Sequence, residues 1–98
     1  MGREVRITDR AMQDIALIAE WQAAIGPVEA LRRLLASLST GIKNLAFTPL
    51  ASPLRPEIGA RARTVAGHTI VYDVESADGV GPCAGDVTVL HVFAAGIV

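Results

Sequence analysis

Two histidines, one cysteine, a cluster of arginines and a single tyrosine are the side chains of this 98-residue chain with chemistry to offer. His68 and His91 carry imidazoles, which titrate near neutrality and ligate zinc, and Cys83 would supply a third ligand. No His or Cys pair has the close spacing of a zinc site, so no metal is expected and the histidines read as satisfied or surface residues. Cys83 stands in a Gly- and Pro-rich stretch with no base beside it, which makes an inert loop thiol the expectation. Gly79-Val80-Gly81-Pro82 precedes a strand, not a helix N-terminus, and is no phosphate loop.

Arg55, Arg61 and Arg63 are the cationic cluster near the expected sheet, partly offset by Asp73. Arg61 and Arg63 lie two apart in a strand and share a face, so they act together or not at all. Their planar forks suit carboxylates of a target or partner, and a solvated strand edge is the equal alternative. Tyr72 alternates with Ile70 and Val74, a pattern that favours a core tyrosine with a bonded hydroxyl over a functional one. Trp21 and Leu17 are apolar residues of another kind. They fall on a second helical stripe, and tryptophan is enriched at the centres of interfaces.

The elements that must position these groups can be read from periodicity. Glu4 to Thr8 alternates, with Val5 and Ile7 on one face, as a short half-buried strand. Thr8 or Asp9 can cap a helix running to about Ala24. Met12, Ile15 and Ile18/Ala19 form one apolar stripe along it, and Leu17, Trp21, Ala24 and Val28 form the second. Gly26-Pro27 ends this helix and starts another, the glycine taking a left-handed exit and the proline the first helical turn. Val28, Leu31, Leu34/Leu35, Leu38, Ile42 and Leu45 mark the core stripe of the second helix. Its weak point is Ser37-Leu38-Ser39-Thr40-Gly41, where a mid-helix glycine costs about 1 kcal/mol and packing is expected to override it.

Pro49, Pro53 and Pro56 make residues 48–59 a loop without regular structure. Strand formers from Ala60 to Glu75 are divided by a turn or bulge at Gly67. Ser76 to Asp86 is a loop, and Val87 to Phe93 is a strand apolar enough to sit centrally and be covered on both faces. The fold class is α+β: an N-terminal strand, a helical hairpin, then a three-stranded antiparallel sheet, as a single domain over 1–98.

Composition bounds the function. At 51% hydrophobic and 19% charged, the chain folds. Net charge is −1, so no global field draws it to nucleic acid or anionic lipid. Apolar runs fall far short of the roughly eighteen residues of a membrane span. One cysteine closes no internal bridge and no apolar signal core follows Met1, which implies a soluble, reducing, cytoplasmic setting.

Four segments in order carry a resemblance. Ala11-Met12-Gln13-Asp14-Ile15-Ala16-Leu17-Ile18 matches an Ala-x-x-Asp-Leu/Ile-x-x-Ile helix pattern. Phe47-Thr48-Pro49 and Arg55-Pro56-Glu57-Ile58-Gly59 match the step and loop that end a helical hairpin. Arg61-Ala62-Arg63-Thr64-Val65-Ala66-Gly67-His68-Thr69-Ile70-Val71-Tyr72-Asp73-Val74 matches a strand pair. Over nearly its whole length the chain resembles the RelE/ParE superfamily, the toxic halves of bacterial toxin–antitoxin pairs, and within it the plasmid-stabilisation type. There are departures. His68 replaces a usual Tyr, Asp73 replaces an Arg, His91 lies where relatives carry an Arg nearby, and the loop before the last strand is longer.

The resemblance implies a cytoplasmic toxin neutralised by a cognate, ParD-like antitoxin. RelE-like members cut messenger RNA in the ribosome, which needs several basic groups around the phosphate; ParE-like members poison DNA gyrase. The lost positive charge favours the ParE-like reading, with DNA gyrase as target, over a RelE-type ribosome-dependent endoribonuclease or a degenerate, non-toxic member that only binds antitoxin. Target-binding candidates are then Arg55, Arg61, Arg63, His68, Tyr72 and His91, and antitoxin-binding candidates Leu17, Trp21, Val28 and Arg32. No catalytic residue, cofactor, membrane contact or sequence-specific DNA binding is implied, and a higher-order toxin–antitoxin assembly is.

Overall fold

The computed structural model describes residues 4–76 and 84–94. Thr8 caps the first helix: its Oγ1 accepts the Ala11 N–H at 3.1 Å and donates to the Val89 carbonyl at 2.9 Å, so one hydroxyl serves both helix and sheet. β1 (Val5–Ile7) therefore passes directly into α1 (Asp9–Ile25). Gly26 has an extended backbone (φ −145°), not the left-handed exit expected, and Pro27 is the cap of α2 (Val28–Asn44), one residue outside the first turn. Extended geometry at both residues reverses the chain without a left-handed step.

α2 runs unbroken through Gly41 for a packing reason. A Cβ there would lie 2.6 Å from Val65 Cγ2, so only glycine lets the helix approach the sheet this closely. Leu38, Ile42 and Leu45 are buried as their spacing requires, together with Ala11 and Ile18 of α1.

The sheet has five strands, where an N-terminal strand and a three-stranded antiparallel sheet were expected. The strands are β1, β2 (Leu54–Arg55), β3 (Ala60–Val65), β4 (His68–Ser76) and β5 (Ala84–Phe93), in the order β1-β5-β4-β3-β2. The sheet is mixed, because β1 pairs with β5 in parallel while the other pairs are antiparallel. β2 lies inside the stretch expected to be irregular. Pro56 biases Arg55 toward extended geometry, and two residues framed by Pro53 and Pro56 can pair with Ala60 and Arg61 at an edge, where missing donors are tolerated. β5 starts at Ala84, earlier than expected; Cys83 and the Gly79–Pro82 motif lie outside the described residues.

β5 is internal, between β1 and β4, but only one of its faces is fully buried. Val87, Val89 and Val92 are buried while Phe93 is exposed. The register steps from Val71↔His91 to Tyr72↔Val89, a bulge that inserts Leu90. Such an insertion re-aims the residues after it. Val92 thereby joins Ile70 in the core, and His91 and Phe93 turn to the opposite face. β3 and β4 are joined by a two-residue turn, Ala66-Gly67, with positive φ at both (51° and 80°), the type I′ geometry that matches strand twist. Among the described residues no helix is long and apolar enough to cross a membrane.

Candidate functional site

The arginine pair is turned inward. Arg61 stands opposite Tyr72 and Arg63 opposite Ile70, on the face that holds the core. Arg61 Nη1 donates to the Ser52 carbonyl at 2.6 Å; Arg63 Nε donates to Ser52 Oγ at 3.0 Å, and its two terminal nitrogens reach the Thr48 hydroxyl and carbonyl. The Tyr72 ring lies 5.8 Å below the Arg63 guanidinium, and its hydroxyl donates to the Pro49 carbonyl at 2.8 Å. Tyr72 is fully buried. Three of the six target-binding candidates are thus joined in one node, and the node fastens residues 48–52 to the sheet. Arg55, on edge strand β2, stays exposed.

The remaining two candidates are histidines in different settings. His68 opens β4, its Nδ1 3.0 Å from the Ala66 carbonyl across the turn. His91 stacks on Phe93, with ring centroids 5.7 Å apart, and its Nδ1 is buried 3.7 Å from Asp14 Oδ2. Asp14 also accepts the Val92 N–H at 3.1 Å and lies 3.3 Å from Arg10 Nε. Where β1 stops, the aspartate takes over part of its work, since it satisfies a strand-edge donor that β1 is too short to reach. Sequence reasoning missed Asp14, although an acidic residue among Ala11, Ile15 and Ile18 on a helix was the signal. Among the described residues no three His, Cys, Asp or Glu side chains gather as metal ligands.

The second stripe of α1 is open, and Val28, expected to continue it, stands past the Gly26-Pro27 reversal as the first residue of α2. Leu17, Trp21, Ile25 and Val28 are between 58% and 64% exposed, against 7% for Ile18 on the core stripe. Ile25 extends the run beyond the residues singled out from sequence. Arg32 is exposed one turn into α2. A further apolar feature, a groove of about 600 Å³, lies between edge strand β1 and the two helices.

A model of the ParE toxin of type II toxin–antitoxin systems (parDE) matches residues 5–92, from the first residue of β1 to the penultimate residue of β5. The chain belongs to the ParE toxin family. The fold agrees. It is similar to a chain of the chromosomal ParDE toxin–antitoxin system of P. aeruginosa, with a TM-score of 0.75 at 13% identity over 95% of this chain and 96% of that one. It is also similar to a chain of the RelBE2 toxin–antitoxin complex of Mycobacterium tuberculosis, with a TM-score of 0.62 at 19% identity over 95% and 98%. No curated protein matches. For a ParE-family toxin, the geometry separates two kinds of surface. The polar groups around Tyr72 are paired within the chain, whereas among the described residues the hairpin presents a row of large apolar side chains more than half exposed.

Proposed function

We propose that this ParE-type toxin is held inactive by a cognate antitoxin lying along Leu17, Trp21, Ile25 and Val28, with Arg32 at the margin, and that the free toxin inhibits DNA gyrase by docking on it. The observation that carries the reading is the inward turn of Arg61 and Arg63. Cleavage of an RNA backbone requires cations aimed at the place where negative charge builds. Here both guanidinium groups are occupied by Ser52 and Thr48, and the third arginine, Arg55, stands at the far edge of the sheet. Arg55 and Phe93, both exposed, and the half-buried His68 and His91 are left as contact groups for the target.

The exposed stripe supports the antitoxin half of the proposal. Large apolar side chains at helical spacing, including a tryptophan, are the usual anchors of a protein–protein contact. The test has two steps. Induced expression in bacteria should arrest growth with filamentation and a DNA-damage response, and co-expression of the small protein encoded in the adjacent reading frame should relieve it. Purified toxin should then block supercoiling by gyrase. Rapid translation arrest with ribosome-dependent cuts in messenger RNA would replace gyrase with the RelE-type reading, and absence of any arrest would leave a non-toxic member that only binds antitoxin.

A further inference from the structure

Both helices pack against the face of the sheet that carries Ile70 and Tyr72, and among the described residues no helix covers the other face. That outer face is partly apolar. Val71 is buried there, away from the core cluster, in the floor of a cleft of about 390 Å³ whose walls include Ile58 and Phe93, 51% and 40% exposed. Strand pairing fixes which charges share this face, since directly opposed side chains point the same way. Arg55 stands opposite Ala60, and Ala60, one place beyond the Arg61↔Tyr72 pair, stands opposite Asp73. Arg55 and Asp73 are therefore two strands apart in one row, roughly 10 Å between backbones at the usual strand spacing, with only a methyl group between them. Both are exposed, and among the described residues neither makes an ion pair. On this face β3 carries nothing larger than Ala60, Ala62 and Thr64.

We propose that the outer face is the contact between two copies of this chain, related by a two-fold axis lying along β3. Rotation about that axis sets β4 over the other copy's β2 and keeps each residue at its own level along the strands. Arg55 then meets the partner subunit's Asp73, and Asp73 the partner subunit's Arg55, so one row of side chains supplies two ion pairs by symmetry. The low profile of β3 lets the two sheets approach, and Ile58 and Phe93 lose exposed apolar surface in the contact. Glu57 and Glu75 are exposed carboxylates on the same side and must stay in water, which keeps the association weak, with a Kd on the order of 10 µM. The outer stripe of α1 lies on the opposite side of the sheet and stays free for antitoxin. Arg55, His91 and Phe93 are also the groups proposed to meet the target, so the dimer masks the face that docks on gyrase. That masking rests on the gyrase reading; the dimer itself does not.

Sedimentation of the full chain between about 1 and 500 µM tests it. The wild type should pass from monomer to dimer. Arg55→Glu and Asp73→Arg, each at an exposed position, should each weaken the dimer about tenfold or more, because both symmetric pairs become repulsive. An equimolar mixture of the two variants should recover it, since each presents the charges that the other now requires. A wild type that stays monomeric throughout overturns the proposal. So does a dimer that both single variants leave intact, or a loss that the mixture does not repair. Above the dimer midpoint, Asp73→Arg should also inhibit gyrase supercoiling more strongly than the wild type at equal total concentration. Equal inhibition overturns the masking. If the dimer behaves as expected and neither protein inhibits gyrase, the gyrase reading has failed and the dimer stands.

Discussion

The node around Tyr72 and the outer stripe of α1 are built from residue types that suggest function equally well, yet they end in opposite states. In the node, two arginines, a tyrosine, a serine and a threonine close on one another and on the carbonyls of residues 48, 49 and 52. On the stripe, Leu17, Trp21 and Ile25, with Val28 at the start of α2 beyond it, touch solvent with more than half of their surface. Buried polar groups are costly unless paired, and here pairing has converted them into structure. Large apolar groups in an exposed row keep their free energy of burial in reserve for a second chain. Residue chemistry nominates both regions, and only what is left unsatisfied distinguishes them.

Arg63→Ala probes that contrast with the largest expected effect. It removes three donors at once, strands the buried Ser52 Oγ and frees residues 48–52 from the sheet, while the exposed Thr48 groups return to water, so the chain should lose about 2–3 kcal/mol of stability in urea titration. Antitoxin affinity per folded molecule should not change. A loss of affinity with wild-type stability would mean that the node is an interface after all.

Trp21→Ala should do the reverse. With Trp21 64% exposed, stability should shift by less than about 0.5 kcal/mol, while antitoxin binding should weaken by about 2 kcal/mol, roughly thirtyfold in Kd by calorimetry. Undiminished binding would return Trp21 to the class of ordinary surface residues.

Tyr72→Phe sharpens the node. The ring stays beneath Arg63, and only the hydroxyl bond to the buried Pro49 carbonyl is lost, so a cost of about 1 kcal/mol is expected and no change in toxicity beyond that of lower stability.

How far the sequence reveals these regions depends on the range of the interactions that build them. Both helices, the Thr8 cap, the turn at Gly67 and the open row of Leu17 and Trp21 on α1 follow from periodicity and local turn chemistry, and the structure bears them out; Met12, expected on the core stripe of α1, and Val28, expected on that of α2, are instead each 58% exposed. The core position of Tyr72 follows from its alternation with Ile70. What stays hidden is non-local. β2 exists only because Leu54 and Arg55 find Arg61 and Ala60, and the parallel pairing of β1 depends on a partner more than 80 residues away. The bulge at Leu90 shows no pattern in one strand by itself, yet it decides that His91 faces away from the core and Val92 into it. Asp14 reads as part of a helix motif, and its role at the end of β5 becomes visible only when the free Val92 N–H is placed beside it.

The smallest predicted effect uses the turn beside His68 to separate stability from both regions. Ala66 is the non-glycine residue with positive φ among the described residues, and a left-handed conformation costs an alanine about 1 kcal/mol or more because its Cβ crowds the backbone. Asparagine tolerates that conformation, and Asn-Gly is the preferred pair for a type I′ turn. Ala66→Asn should therefore stabilise the chain by about 0.5–1 kcal/mol and raise Tm by a few degrees in a thermal melt. The turn belongs neither to the node nor to the stripe, so antitoxin affinity should stay at the wild-type value. If gyrase inhibition nonetheless falls in this more stable variant, the β3–β4 turn and His68 are part of the surface that meets the target, and contact with gyrase extends to that end of the sheet.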